Sequence, residues 1–142
     1  MISNHGCGRR SRGQALVEFA LALPMVLLLL LGASDFARGM GAYIELGNVA
    51  REGAHYGSLN STNAGNTAGI QAAAIGEAGG TIYGVAPTIS STTGTETYTD
   101  SSGQHFTFVR VTASYVFQPI FAVGPFRAVT LRRTVQMRIL PG

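Results

Sequence analysis

The sequence predicts an α+β protein, in which one long N-terminal helix packs on a small C-terminal antiparallel β-sheet. Three observations carry this. An apolar run, Ala15 to Ala33, is long enough for lipid. The amphipathic stretch after it has apolar residues at three- and four-residue spacing. Two late segments alternate apolar and polar residues with period two.

The N-terminal run reads ALVEFALALPMVLLLLLGA, interrupted only by Glu18, Pro24 and Gly32. At about 1.5 Å per residue its length matches the ~30 Å hydrocarbon core of a bilayer. Arg9, Arg10 and Arg12 precede it with no acid among them, which places that end in the cytoplasm by the positive-inside rule. The divisions expected are a basic cytoplasmic leader at 1–13, a transmembrane helix at 14–34, a helical extension outside the membrane at 35–57 and an extracytoplasmic α+β domain at 58–142.

Composition narrows the function. The chain has 142 residues and a net charge of +3. Arg9, Arg10 and Arg12 account for that charge, because seven arginines face seven acids beyond Gly13. The basic balance therefore does not argue for nucleic-acid binding. Cys7 is the single cysteine, so an intrachain disulfide and a cysteine-based metal site are excluded. His5, His55 and His105 are far apart, and none has metal-ligand spacing. No serine sits in a nucleophile-elbow setting, and Gly76–Gly80 reads as a helix end, not a phosphate cradle. No catalytic residue, cofactor or small-molecule substrate is expected.

Glu18 requires an explanation, since a carboxylate in a spanning helix costs about 2.5–3.5 kcal/mol on insertion scales. A cleaved secretory signal would have an apolar region of ~7–15 residues and a small-x-small cleavage site, whereas here Leu31 precedes Gly32-Ala33. A plain signal anchor leaves Glu18 unexplained. A buried helix of a soluble protein would need apolar surroundings that the chain does not supply.

The arginine-rich leader, Gly13, four residues, Glu18 and then Phe19 resemble a class III type IV prepilin signal. The resemblance implies cutting by a membrane-embedded prepilin peptidase between Gly13 and Gln14, with Glu18 becoming the fifth mature residue. Many prepilins carry Phe where this chain has Gln14. The new ammonium at Gln14 would lie one turn from Glu18, because residues i and i+4 share a helix face. Pairing within a subunit or between neighbours neutralises a charge that is costly in hydrocarbon. Glu18 and Phe19 are thus the expected assembly residues.

Ser34 to Tyr56 continues the helix. Phe36, Met40, Tyr43, Leu46 or Gly47, Ala50 and Ala54 would form its apolar face, with Asp35 and Arg38 paired on the polar side. Its glycines allow close approach of another backbone. The segment Asn48 to Tyr56, with Ala50-Arg51-Glu52-Gly53-Ala54 at its centre, resembles the corresponding motif of TadE-like proteins. These are pilin-like subunits of the tight-adherence (Tad, or Flp) pilus machinery. The resemblance runs from Gly13 to about Gly57, and more loosely over Val129 to Ile139.

Ser58 to Asn66 reads as a loop and hinge, with Asn60-Ser61-Thr62 a polar loop in preference to a glycosylation acceptor. Asn66 or Thr67 caps a helix running to Ala78 with Ile70, Ala73, Ala74 and Ala78 on its apolar face, and Gly79-Gly80 ends it. Thr81 to Val85 and Glu96 to Thr99 are expected as short strands around a loop at Ser90 to Gly94, followed by a turn at Asp100 to Gly103. Thr107, Val109, Val111, Ala113, Tyr115 and Phe117 form one strand face. Gln118 to Pro125 is expected as a loop exposing Ile120 and Phe121. Val129, Leu131, Val135, Met137 and Ile139 form the next strand's inner face, broken by Arg133. The two long strands should pair antiparallel beneath the helix.

The resemblance implies a minor pilin or pseudopilin-like structural subunit of a Tad-type (Flp, type IVb-like) pilus or secretion apparatus. Major Flp pilins are much shorter and lack such a sheet. The implied partners are the prepilin peptidase, other pilin-like subunits, the Tad inner-membrane machinery and membrane lipid. The implied location is the bacterial inner membrane, N-terminus in and C-terminus out, or a cell-surface pilus. The alternative from another class is a signal-anchored envelope protein with a small binding domain. The two differ in whether the mature chain begins at Gln14.

Overall fold

A computed structural model describes residues 10–96, 103, 106–120 and 127–140, without the side chains of 10–12 and 94–96. The described elements are α1 (Arg10–Ser58), α2 (Ser61–Gly65), α3 (Thr67–Glu77), β1 (Thr88–Glu96), β2 (Phe106–Phe117) and β3 (Val129–Arg138). The α+β prediction holds: a long apolar helix packs on one three-stranded antiparallel sheet of order β1-β2-β3.

At 49 residues, α1 runs unbroken through the apolar segment and its extension, a length of about 74 Å. Pro24 lies within it and has no N–H to donate, so the preceding turn lacks one backbone hydrogen bond. Every residue from 13 to 34 is exposed, and burial begins at Asp35. Beyond that point α1 presents Ala42, Leu46, Val49, Ala50, Ala54 and Gly57 to the core.

This face differs from the expected one at its N-terminal end. Leu46, Ala50 and Ala54 are buried as expected, but Phe36 and Met40 are exposed, and Asp35 and Arg38 turn toward the domain. The reason is steric. The Phe117 ring lies 3.8 Å from where a Gly39 Cβ would stand, and the Tyr83 hydroxyl 2.8 Å from that of Gly41. The sheet end approaches α1 along small residues, and bulky Phe36 and Met40 would hold it away.

In the region expected as a loop, Asn60 caps the short α2, its Oδ1 accepting from the Asn63 amide at 2.7 Å. Asn66 caps α3 in the same way, accepting from the Gly69 amide at 2.9 Å. Its Nδ2 donates to the Tyr56 hydroxyl at 3.2 Å. At the other end Gly79 and Gly80, with φ of +57° and +97°, close α3 as expected. The Gly80 amide donates to the Ile75 carbonyl, a glycine-dependent helix stop.

One short-strand and one loop expectation are corrected, and of the other expected strand, Glu96 to Thr99, all but Glu96 lies outside the described residues. Thr81 to Val85 is a tight turn held by an isolated Ile82–Val85 bridge, with Tyr83 and Gly84 at φ +46° and +81°. Ser90 to Gly94, expected as a loop, is the middle of β1 and pairs with Phe108 to Thr112 of β2. Serine and threonine suit a strand whose partner supplies the buried side chains, and here tertiary pairing outweighs the turn-like composition. Most of the expected Asp100–Gly103 turn lies outside the described residues, although Gly103 itself has φ +70°. Phe121 also lies outside them.

β2 behaves as its alternation predicts. Val109, Val111, Ala113, Tyr115 and Phe117 are buried between exposed or half-buried neighbours. It pairs antiparallel with β3, Val111 opposite Val135 and Phe117 opposite Val129. On the solvent face, Thr112 and Thr134 hydroxyls meet at 2.9 Å and Arg110 donates to Gln136 at 3.2 Å, polar cross-strand pairs that pin the register. The core forms where β2, α3 and the upper half of α1 meet, around Leu46, Val49, Ile70, Ile82, Val109 and Val111.

Candidate functional site

The exposed part of α1 has the chemistry of a membrane span. It is strongly apolar and none of it is buried by the rest of the chain, and Leu16, Phe19, Leu21, Met25 and Leu27 to Leu31 are all exposed. Such a surface is much larger than monomers leave in water. Gly13, Gln14, Glu18 and Phe19 lie at its start and none is covered. Gln14 and Glu18 are one turn apart on the same face. Among the described residues nothing pairs with the Glu18 carboxylate, so the folded domain does not neutralise it.

The second group, Ala50 to Ala54, is divided by the helix. Ala50, Gly53 and Ala54 are buried, whereas Arg51 points outward and Glu52 is half-covered. Gly53 lies where three elements meet. A Cβ there would be 3.1 Å from the Ala74 Cβ, 3.2 Å from Val111 Cγ1 and 3.3 Å from the Ile70 carbonyl oxygen. Gly57, one turn on, is tighter still, 2.9 Å from Val109 Cγ2. The buried half of this motif is thus a seat for α3 and β2. Glu52 Oε1 comes within 3.8 Å of His55 Nδ1 on the exposed side. The Ala50–Ala54 motif and the Gly13–Phe19 segment are on one helix but about 30 residues apart, roughly 46 Å from Phe19 to Ala50, and the structure does not bring them together.

Two clusters go beyond the sequence reading, the first by building on the expected Asp35–Arg38 pair. Where the exposed part of α1 enters the domain, Asp35 Oδ1 accepts from Arg38 Nη1 at 3.1 Å and from the Ile120 amide at 2.9 Å. The Arg38 guanidinium lies 5.4 Å from the Phe117 ring centroid and 5.5 Å from that of Tyr83. The i,i+3 spacing of Asp35 and Arg38 signalled the pair, but only the fold shows that it faces the sheet. Further along, Arg133 occupies the apolar row of β3 because it packs on α1. Its guanidinium sits 4.7 Å from the Tyr43 ring centroid, and Nη1 donates to the Tyr43 hydroxyl at 2.9 Å. Its Nε lies 3.4 Å from the Cβ position of Gly47.

Among the described residues no group of three or more His, Cys, Asp or Glu is placed to hold a metal ion. His5 and His105 lie outside them. The arrangement is one of surfaces: a bare apolar helix, a packed neck and a small sheet domain.

Comparison with known proteins bears on the helix. Neither the curated proteins nor the solved structures gave a match. The model of one family, described as TadE-like protein, matches residues 13–55, which is under a third of the chain and lies wholly within α1. That match takes in both groups read from the sequence, the Gly13–Phe19 segment and Ala50–Ala54. It associates the chain with the Tad pilus machinery in general and with anchoring by an N-terminal apolar helix. Over residues 13–55, all of them in α1, the chain is similar to TadE-like proteins.

Proposed function

We propose that the protein is a minor pilin or pseudopilin-like structural subunit of a Tad-type pilus or secretion apparatus. It crosses the inner membrane once, N-terminus in and C-terminus out. A prepilin peptidase cuts after Gly13, and the mature subunit assembles through the helix that begins at Gln14. Its role is structural and not catalytic.

One observation carries this reading: the apolar half of α1 projects bare from the folded domain, with Glu18 unpaired among the described residues. A helix meant only to anchor gains nothing from an acid at that depth. A helix meant to meet others does, because the partner that neutralises Glu18 also brings subunits together. Cleavage supplies an ammonium at Gln14, on the same face as the acid.

Mass spectrometry of the mature N-terminus, in cells with and without the peptidase, is the test. The expected chain begins at Gln14, and Gly13→Ala leaves it uncut. A chain that keeps Met1 in peptidase-positive cells, or is cut after the apolar run, would overturn the reading and leave a membrane-tethered module.

A further inference from the structure

The domain does not begin at a distance from the span. Burial starts at Asp35, directly after the last fully exposed apolar turn, and Asp35 is tied to the backbone of Ile120 at 2.9 Å. With the hydrocarbon boundary at residue 34, Asp35 stands about 1.5 Å, Arg38 about 6 Å and Gly41 about 10 Å above it. The headgroup layer on one side of a bilayer is about 5–7 Å deep. Ile120 is therefore held at headgroup level. The Tyr83 ring, between Arg38 and Gly41, stands about 6–10 Å up, at the outer surface of that layer.

The side chains at this end fit that layer. Ile120 is 63% exposed and Tyr83 53%. Tyrosine favours the membrane interface, where its ring is apolar and its hydroxyl wet. Val129, opposite Phe117 in the sheet and thus at the same end, is 48% exposed. Arg127, exposed two residues earlier, can meet lipid phosphate. The acid at this end, Asp35, is already engaged by Arg38 and the Ile120 amide.

We propose that the end of the sheet domain bearing Ile120, Tyr83, Val129 and Arg127 docks on the outer lipid headgroup layer. Before assembly, the subunit thereby stands at fixed height and tilt on the membrane. The proposal rests on the single-span reading above. The lipid surface is favoured as occupant because the patch is continuous with the spanning helix and combines apolar side chains with a cation.

The test uses the full chain with Cys7→Ser, reconstituted in phosphatidylethanolamine–phosphatidylglycerol vesicles. A nitroxide is placed at Leu28→Cys, Ile120→Cys or Leu140→Cys. Leu140 is the distal control, because its amide bonds to Ser58 at the far end of α1, roughly 35 Å above Asp35. Collision with oxygen, which concentrates in lipid, is compared with collision with a water-soluble nickel chelate. The expected oxygen-to-nickel ratio is highest at 28, several-fold lower at 120 and lowest at 140. If 120 matches 140 while 28 remains deep, the domain stands clear of the bilayer and the proposal fails, with the anchor intact. A label at 120 shielded from both reagents means a protein neighbour covers the patch, which also overturns it. If 28 is open to nickel, the spanning reading itself falls.

Discussion

A Cβ on Gly53 would stand 3.1 Å from that of Ala74, so α1 and α3 meet with no room for a side chain between them. The third wall is Val111 of β2, at 3.2 Å. Gly53→Val therefore forces α3 or the sheet outward, and overpacking of this kind costs typically 1–3 kcal/mol. Thermal unfolding of the full chain in detergent should show a lower midpoint. Gly76 is the contrast: it is helical and exposed, with nothing within 4 Å of its Cβ position. Gly76→Ala should stabilise by roughly 0.5–1 kcal/mol through helix propensity. If the two substitutions shift the midpoint in the same direction, the packing account of Gly53 is wrong.

Arg133 and Tyr43 join β3 to α1 by a stacked and hydrogen-bonded contact. Both groups are partly wet, so the contact is worth about 1 kcal/mol, adding a cation–π part to a modest hydrogen bond. Tyr43→Phe should lose only the hydrogen bond, and Tyr43→Ala the whole contact. A double-mutant cycle of Tyr43→Ala with Arg133→Ala should give a coupling of about 0.5–1 kcal/mol. A coupling near zero would mean that Arg133 is simply solvated.

Asp35 holds the last described residues after β2 through the Ile120 amide, and also holds Arg38 against Phe117 and Tyr83. Hydrogen bonds to a charged group contribute about 1.5–3 kcal/mol when well covered, and the Asp35 side chain is only 13% exposed. Asp35→Ala should therefore speed hydrogen exchange at the Ile120 amide by one to two orders of magnitude, in line with ~1.4 kcal/mol per factor of ten. The amides of central β2 should be far less affected. Unchanged protection at Ile120 would mean that the carboxylate does not hold this segment.

What could be read in advance follows from how locally each feature is determined. The alternation of β2 and β3 sets their pairing and inner faces, because period two leaves one choice of register face. The apolar run and the Gly79-Gly80 stop are likewise local. β1 was misread because Thr-Ile-Ser-Ser-Thr-Thr-Gly-Thr-Glu has little apolar alternation of its own, and it becomes a strand by pairing with β2. The face of α1 was misread near Asp35 for a related reason. Phe36 and Met40 are apolar but face away from the domain, so counting them as core rotates the helix. Small residues, Gly39 and Ala42 among them, were the better guide to where the sheet comes close. For Gly13, Gln14 and Glu18 the fold adds only their exposure and their places along one helix.

Glu18 gives the last prediction. Nothing in the domain approaches it, and the domain begins some 17 residues later, about 25 Å along the helix. Glu18→Ala should therefore leave folding and thermal stability of the domain unchanged, and removing an acid from the apolar run should ease insertion by about 2 kcal/mol or more. If the acid serves only local solubility or is incidental, assembly would be untouched or improved. If it pairs with the amine at Gln14 of its own or a neighbouring chain, loss of the acid leaves an ammonium in hydrocarbon with no counter-charge, and breaking such a pair is strongly unfavourable. Cleavage after Gly13 should continue while subunits fail to enter pili. Glu18→Gln, which keeps the shape and loses the charge, should fail as Glu18→Ala does. Co-purification with sheared pili, set against the membrane-bound pool, reads both variants. Normal incorporation of either one would remove the assembly role from this residue.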